Sequence, residues 1–419
     1  MNRIQKIKKS IKTVDNIQYF GALLILIGLI INPFVIEQLF SVNKNIESFG
    51  LKLCIVFFEI ILLVIGTLII KHSKKIIKNR KNILINLSLL VGSIIFILIM
   101  VELYLFFFVP VRVVNHDVYG WDNLEFTDIT YNVKDIDGSV HEVNYITYEK
   151  GFRRYSEPDM DKTRILVLGD SLTDAQQVSN DEEYYSYLEN NPDIQLFVKA
   201  VSGWGTLQKY LLLNDVYDII KPDIIIFSFA NNDFINNDLY LEKNSLIHNN
   251  NHVRPYLEND KIVYKNPSGV IFPEFIEDLR ITKFLLHNIK QGFNTFRVNK
   301  QGIDLIEEIN TKGENYPAFS NSVDTTSKIL GLIKTRAKES KIFSFNIDLN
   351  EFDIKPIVER IIEENGIEMI PGVSEIVYEH AENSSVHGID GVHWNKLGHK
   401  LAGDLISEYI NDYLEEKNG

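Results

Sequence analysis

The sequence predicts an α/β domain with a doubly wound parallel sheet, preceded by three transmembrane helices. Three observations carry this. Residues 17–36, 51–70 and 83–109 are apolar over the roughly 20 residues a helix needs to cross a bilayer. From residue 164 onward, short continuous apolar runs alternate with amphipathic stretches, which is the pattern of a parallel sheet covered on both faces by helices. The charge changes sign between these regions. Residues 1–112 hold 14 Lys/Arg against 5 Asp/Glu, a net +9, so the remainder carries −22 of the overall −13.

The apolar runs come first. No small-x-small cleavage site follows the run 17–36, so it reads as a retained helix and not a signal peptide. Arg3, Lys6, Lys8, Lys9 and Lys12 precede it, and Lys71, Lys74, Lys75, Lys78, Arg80 and Lys81 lie between the second and third runs. The positive-inside rule puts both basic segments in the cytoplasm. Three spans then deliver everything after Arg112 to the outside, a multi-pass arrangement whose first partner is the bilayer. Glu59 and Glu102 lie within spans, where ionisable groups mark functional or helix-contact sites. The only cysteine, Cys54, is in the second run, so the outer part has no disulfide and depends on its own core. Its acidic balance also excludes nucleic acid as a partner, because phosphate contacts need clustered Lys/Arg.

Residues 113–158 read as a β-rich neck. The stretches 113–118, 125–133 and 140–148 are β-branched and aromatic, and Asp137-Gly138 is a hairpin turn signal between the last two. Residues 159–419 form the α/β domain. Strands are expected at 165–168, 194–201, 223–229, 341–347 and 367–370. Helices are expected at 181–189, 207–220, 274–298, 322–339, 354–364 and 397–415. The polar, Asn-rich stretch 231–273 reads as a long loop near the site.

The chemistry gathers at strand ends, where doubly wound sheets bind ligands. Gly169-Asp170-Ser171-Leu172 follows the first strand, and a strand-to-helix turn can hold a serine hydroxyl exposed beside open backbone N–H groups. A serine needs a base, and the base needs a carboxylate to set its tautomer. Asp390-Gly391-Val392-His393 places both within one turn, just before the terminal helix. His387 reads as a loop residue and His399 as a structural residue of that helix. An acyl carbonyl under attack also needs donors for its oxyanion. The backbone N–H of Ser171, that of Gly203 in Val201-Ser202-Gly203-Trp204-Gly205, and the side-chain amide of Asn232 in Ala230-Asn231-Asn232-Asp233 are the candidates, with Gly205 competing for the role of Gly203. Asp170 and Asp233 are expected to fix their turns.

These four segments, in this order, resemble the SGNH hydrolase family, also called GDSL esterases. The likeness spans about residues 160–415 and departs at Ala230, where the family carries glycine. It implies a flavodoxin-like three-layer α/β/α sandwich with a five-stranded parallel sheet. It also implies catalysis by Ser171, Gly203, Asn232 and His393, with no metal or organic cofactor. Residues 144–154 (NYITYEKGFRR) and Arg254-Pro255-Tyr256 resemble a subgroup associated with surface polysaccharide production. The expected activity is hydrolysis of an O-acyl ester, such as O-acetyl, on an extracellular glycan. Two alternatives share these residues: an O-acyltransferase fed by a separate membrane donor protein, and a catalytically dead glycan-binding scaffold.

Overall fold

The computed structural model of the chain describes residues 17–35, 49–78, 80–108, 112–245, 252–267, 279–281, 302–347, 354–381 and 384–418. The chain divides into two compact units, Met1–Val109 with Pro273–Lys300, and Pro110–Phe272 with Gln301–Gly419. The segment 113–158 thus falls within the second unit.

The first unit holds α1 (Ile17–Ile30), α2 (Phe49–Lys78) and α3 (Arg80–Phe108). Among the described residues two helical stretches, Ile55–Ile76 and Ser88–Phe107, are long and apolar enough to cross a membrane, where the sequence suggested three. The first run falls short because its helix breaks at Ile31-Asn32, just before Pro33. Proline lacks the N–H that would continue the ladder, and its ring clashes with the preceding turn. Asn32 Oδ1 instead caps the next turn by accepting from Val35 N at 2.9 Å. α1 packs closely on α2 where Gly21 meets Gly66, since a Cβ on either would strike the other's carbonyl. Such small-residue contacts let helix backbones approach one another. Glu102 accepts from the backbone N–H groups of Arg280 and Ile281 at 2.9 and 2.8 Å. The rest of the helix expected at 274–298 lies outside the described residues.

The second unit opens with two antiparallel pairs. β1 (Val113–His116) pairs with β2 (Gly120–Asn123), a strand not anticipated, and β3 (Asp128–Lys134) pairs with β4 (Val140–Ile146) across the expected Asp137-Gly138 turn. Then follow β5 (Thr163–Gly169), the one-turn helix α4 (Ser171–Asp174), β6 (Ile194–Ala200), α5 (Thr206–Ile220) and β7 (Ile224–Phe229). Next come α6 (Asn232–Asn236), α7 (Leu239–Asn244), and the hairpin β8 (Arg254–Glu258) with β9 (Lys261–Lys265). The chain closes with α8 (Gly302–Lys312), α9 (Pro317–Arg336), β10 (Lys341–Asn346), α10 (Lys355–Glu364), β11 (Glu368–Met369), α11 (Val373–Ala381) and α12 (Lys396–Asn418). The described residues of the stretch read as a long loop thus form two short helices and a hairpin. Their polar residues hid them because they pair with one another: Tyr256 and Arg254 both hold the buried Glu242. The helix expected at 181–189 is a 3-10 segment, Tyr184–Asn190.

β5, β6, β7, β10 and β11 form one parallel sheet in the order β11-β10-β7-β5-β6, the flavodoxin-like arrangement. Strand alternation divides its apolar residues between two cores. Leu166, Leu168, Ile225 and Phe227 face α5, α9 and α10. Ile165, Val167, Ile224 and Ile226 face α11 and α12. Each such side chain, fully buried, contributes about 1.5–3 kcal/mol. Both faces are covered, which is why these strands read as unbroken apolar runs.

Candidate active site

β5, β6 and β7 are adjacent and parallel, with Gly169 opposite Ala200 and Leu168 opposite Phe227. Their carboxyl ends therefore lie side by side, with strands about 4.8 Å apart. Ser171 follows the first end, Gly203 the second and Asn232 the third. The sheet thus brings to one edge three residues separated by up to 61 positions in sequence.

Ser171 opens α4. Asp170 caps the turn by accepting from Leu172 N at 3.3 Å, as expected for a residue that sets its turn. Gly169 must be glycine, because a Cβ there would overlap Thr173 and Ser228. Thr173 Oγ1 lies 2.8 Å from Ser228 Oγ and 3.0 Å from Tyr184 Oη, which ties the turn to β7 and to the 3-10 segment. Asp174 ends the helix and acts as a hub. Its buried carboxylate accepts from Asn123 Nδ2, Tyr145 Oη, Gln176 Nε2 and Ser202 Oγ at 2.6–3.0 Å. One side chain so joins the Ser171 turn, the two antiparallel pairs and the loop after β6.

His393 completes the approach to Ser171. Its Nε2 lies 2.8 Å from Ser171 Oγ and its Nδ1 lies 2.7 Å from Asp390 Oδ2. Asp390 Oδ1 also accepts from Val392 N and His393 N at 2.9 and 3.0 Å, in a turn that Gly391 permits at φ 71°. Burial alone would raise the Asp390 carboxyl. The hydrogen bond and charge of His393, with the two backbone N–H groups, outweigh it and hold the carboxyl well below the usual carboxylate range. Asp390 is therefore ionised wherever the protein is folded at neutral pH.

The loop carrying His393 is held by the β3–β4 hairpin. Ile136 N donates to His387 O at 3.2 Å, and Ile389 N donates to Lys134 O at 2.9 Å. Asn395 donates to Asp135 Oδ2 at 3.0 Å while its own Oδ1 caps α12 through Leu397 N and Gly398 N. The same hairpin reaches the loop after Ser171, where Tyr131 Oη donates to Gln176 O at 2.7 Å. Residues read from sequence as a neck are thus the wall against which both halves of the site are fixed. No sequence signal of catalysis marks them.

Gly203 sits at φ 80° and is partly exposed. Gly205 N donates to Gln208 Oε1 at 3.0 Å within the start of α5, so its N–H is already committed. Asn232 is also partly exposed. One of its amide N–H groups donates to Asn236 Oδ1 at 3.2 Å, and an amide carries two. Behind it, Asp233 is fully buried and takes Lys209 Nζ at 2.8 Å, Thr206 Oγ1 at 3.0 Å and Ala230 N at 3.0 Å. Lys209 was legible only as a charge within the apolar stripe of α5, a position that requires a buried partner. Burial pushes the Asp170 carboxyl up, against the charge of Lys209. His399 is fully buried, accepts from Tyr184 N at 3.3 Å, and is pushed down to about 3 by burial. His387 is also buried, its imidazole likewise lowered by burial, with its ring 5.6 Å from that of Tyr378. Among the described residues no group of three or more His, Cys, Asp or Glu side chains is placed to hold a metal ion.

The family model described as GDSL-like lipase/acylhydrolase matches residues 165–406. No curated protein matches the chain. Solved structures similar to it include a psychrotrophic esterase from Pseudoalteromonas sp., at 12% identity and a TM-score of 0.33, covering 61% of this chain and 100% of that one. A family 3 carbohydrate esterase from Clostridium thermocellum is 15% identical, with a TM-score of 0.33 and 62% and 100% coverage. A lipase/acylhydrolase from Enterococcus faecalis is 12% identical, with a TM-score of 0.33 and 60% and 96% coverage.

Proposed function

The chain belongs to the GDSL-like lipase/acylhydrolase family and is an ester-acting hydrolase; from that premise we propose that it is a membrane-anchored serine esterase removing O-acyl groups, such as O-acetyl, from an extracytoplasmic glycan. The observation that carries the mechanism is the relay Asp390–His393–Ser171, with its two hydrogen bonds of 2.7 and 2.8 Å. Asp390 holds His393 with Nδ1 protonated, so Nε2 is the acceptor for the Ser171 hydroxyl proton. Ser171 Oγ attacks the ester carbonyl, and the oxyanion that forms is met by the N–H groups of Ser171 and Gly203 and by the Asn232 amide. The C–O bond to the leaving alcohol breaks as His393 returns its proton to that oxygen. Water, deprotonated by His393, then attacks the acyl-serine and releases the carboxylic acid.

Anchoring rests on α2 and α3, whose apolar side chains lie exposed along most of their length. Placement of the hydrolase domain outside follows from the basic segment between them and does not depend on whether α1 spans. If residues 71–81 are cytoplasmic, the chain after α3 is on the opposite side. The glycan reading is supported by the likeness of residues 144–154 and Arg254-Pro255-Tyr256 to a polysaccharide-associated subgroup.

The test is acetate release from an aryl acetate by the full chain in detergent, beside Ser171→Ala. Sustained turnover that vanishes in the variant is the expected result. A single burst equal to the enzyme concentration would move the assignment to acyl transfer, with a sugar hydroxyl as the acceptor that water cannot replace. Equal inactivity of two folded proteins would overturn the reading.

A further inference from the structure

We propose that Trp121 and Arg254 form a clamp that aims the oxyanion donors, so that both are positioning residues for catalysis. The inference rests on the esterase reading above and adds residues from outside the four sequence blocks.

Trp121 lies in β2, is almost fully buried, and donates from Nε1 to Ser202 O at 3.0 Å. A trans peptide carries the C=O of one residue and the N–H of the next on opposite edges of one plane. Holding Ser202 O therefore sets the direction of the Gly203 N–H, the donor proposed for the oxyanion. Glycine at φ 80° has no side chain to restrain that plane, so the restraint must come from outside. Trp121 is itself held, since its own carbonyl accepts from Trp204 Nε1 at 3.0 Å.

Arg254 restrains the next peptide. Its guanidinium donates to Gly203 O at 2.7 Å and to Asn236 O at 3.0 Å. Asn236 ends α6, the short helix that begins with Asn232, and its side chain accepts from the Asn232 amide. One planar fork thus spans the two loops that carry the Gly203 and Asn232 donors. Lysine cannot do this, because its ammonium is a single point and not a rigid fork. The fork is oriented by Glu242, an ion pair at 3.0 Å with both side chains fully buried, and it lies 4.7 Å over the Trp121 ring. The two clamp residues therefore brace each other. An oxyanion hole stabilises charge only if its donors are fixed before the charge appears, and this is what the pair supplies.

Trp121→Phe in the full chain is the decisive variant. It keeps an aromatic ring under the guanidinium and removes the N–H together with the rest of the five-membered ring. With an aryl acetate, kcat is expected to fall about 10-fold or more, with KM within about twofold. Inhibition by phenylboronic acid, which forms a tetrahedral adduct on a serine oxygen, is expected to weaken by the same factor as kcat. Arg254→Lys should show the same split. Unchanged kcat and boronate affinity, with only a lower melting temperature, would overturn the clamp and leave the esterase reading intact. So would a rise in KM alone. Should Trp121→Phe not fold, Arg254→Lys decides; if neither folds, the pair is a folding element and the proposal fails. Absence of turnover in the wild type removes the esterase reading and the clamp together.

Discussion

The two ends of the hydrogen-bond relay are built in opposite ways. Ser171 sits on a turn whose neighbours Asp170, Thr173 and Asp174 are buried to within 1%. His393 and Asp390 keep 26% and 42% of their side chains exposed, and Ile389 and Val392 beside them stand more than half exposed. Ser171 is therefore located by a buried polar lattice, in which every displacement breaks several hydrogen bonds at once. His393 is located by a surface loop pinned at its ends to a hairpin. The difference fits the tasks proposed for them. A serine oxygen must be positioned, relative to the oxyanion donors, with a precision of a fraction of an ångström. An imidazole must pass a proton between three oxygens in turn, and solvent access on its side admits both the alcohol leaving and the water arriving.

This contrast can be broken at either end. The largest effect is expected from Asp390→Asn, which keeps the shape of the exposed loop and removes the charge that sets the tautomer. We expect kcat to fall about 10²- to 10⁴-fold with the melting temperature nearly unchanged, because the side chain is half in water. Wild-type kcat in that variant would mean that the relay does no work. On the buried side of the site, behind Asn232, the expectation reverses. Lys209→Met leaves Asp233 charged and unpaired in the core, which costs about 3–5 kcal/mol of stability. Urea unfolding can follow this by tryptophan fluorescence, since all three tryptophans, Trp121, Trp204 and Trp394, lie in the second unit. A loss below about 1 kcal/mol, the range of a solvent-exposed pair, would erase the distinction between the two ends.

The smallest effect is a pH dependence. His399 is lowered to about 3 in the fold, against about 6.5 in an unfolded chain. As pH drops below about 6.5, the unfolded chain takes up a proton that the fold excludes, so stability falls until the pH reaches the folded value. His399→Asn should remove about 2 kcal/mol of the loss that the wild type suffers between pH 7 and pH 5. Parallel urea midpoints for both proteins at the two pH values would show that His399 is protonated in the fold and contributes nothing.

Much of this was legible in the chain because the signals are local. Continuous apolar runs such as 223–229 announce a strand buried on both faces, and β7 fills that range to within a residue. Asp390 and His393 are three residues apart, so one turn can hold both, and the structure joins them directly. The parts that differ from expectation have separate causes. Proline at 33 shortens a helix that composition alone extends. The segment 231–273 looked unstructured because its polar residues satisfy one another across 10 to 15 positions, as Arg254 and Tyr256 do with Glu242.

The sequence by itself determined the five strands of the central sheet, the acidic character of the chain after residue 112, and which serine, histidine and carboxylate were available. Those follow from periodicity, composition and short spacing, all of which are properties of a few neighbouring residues. Only the tertiary structure decided that Trp121, Asp174, Lys209 and Arg254 surround the site and that the β3–β4 hairpin walls it. A buried polar side chain has meaning only through its partner. These partners lie tens of positions away, at a distance that the packing of sheet, helices and hairpins closes and that no local pattern records.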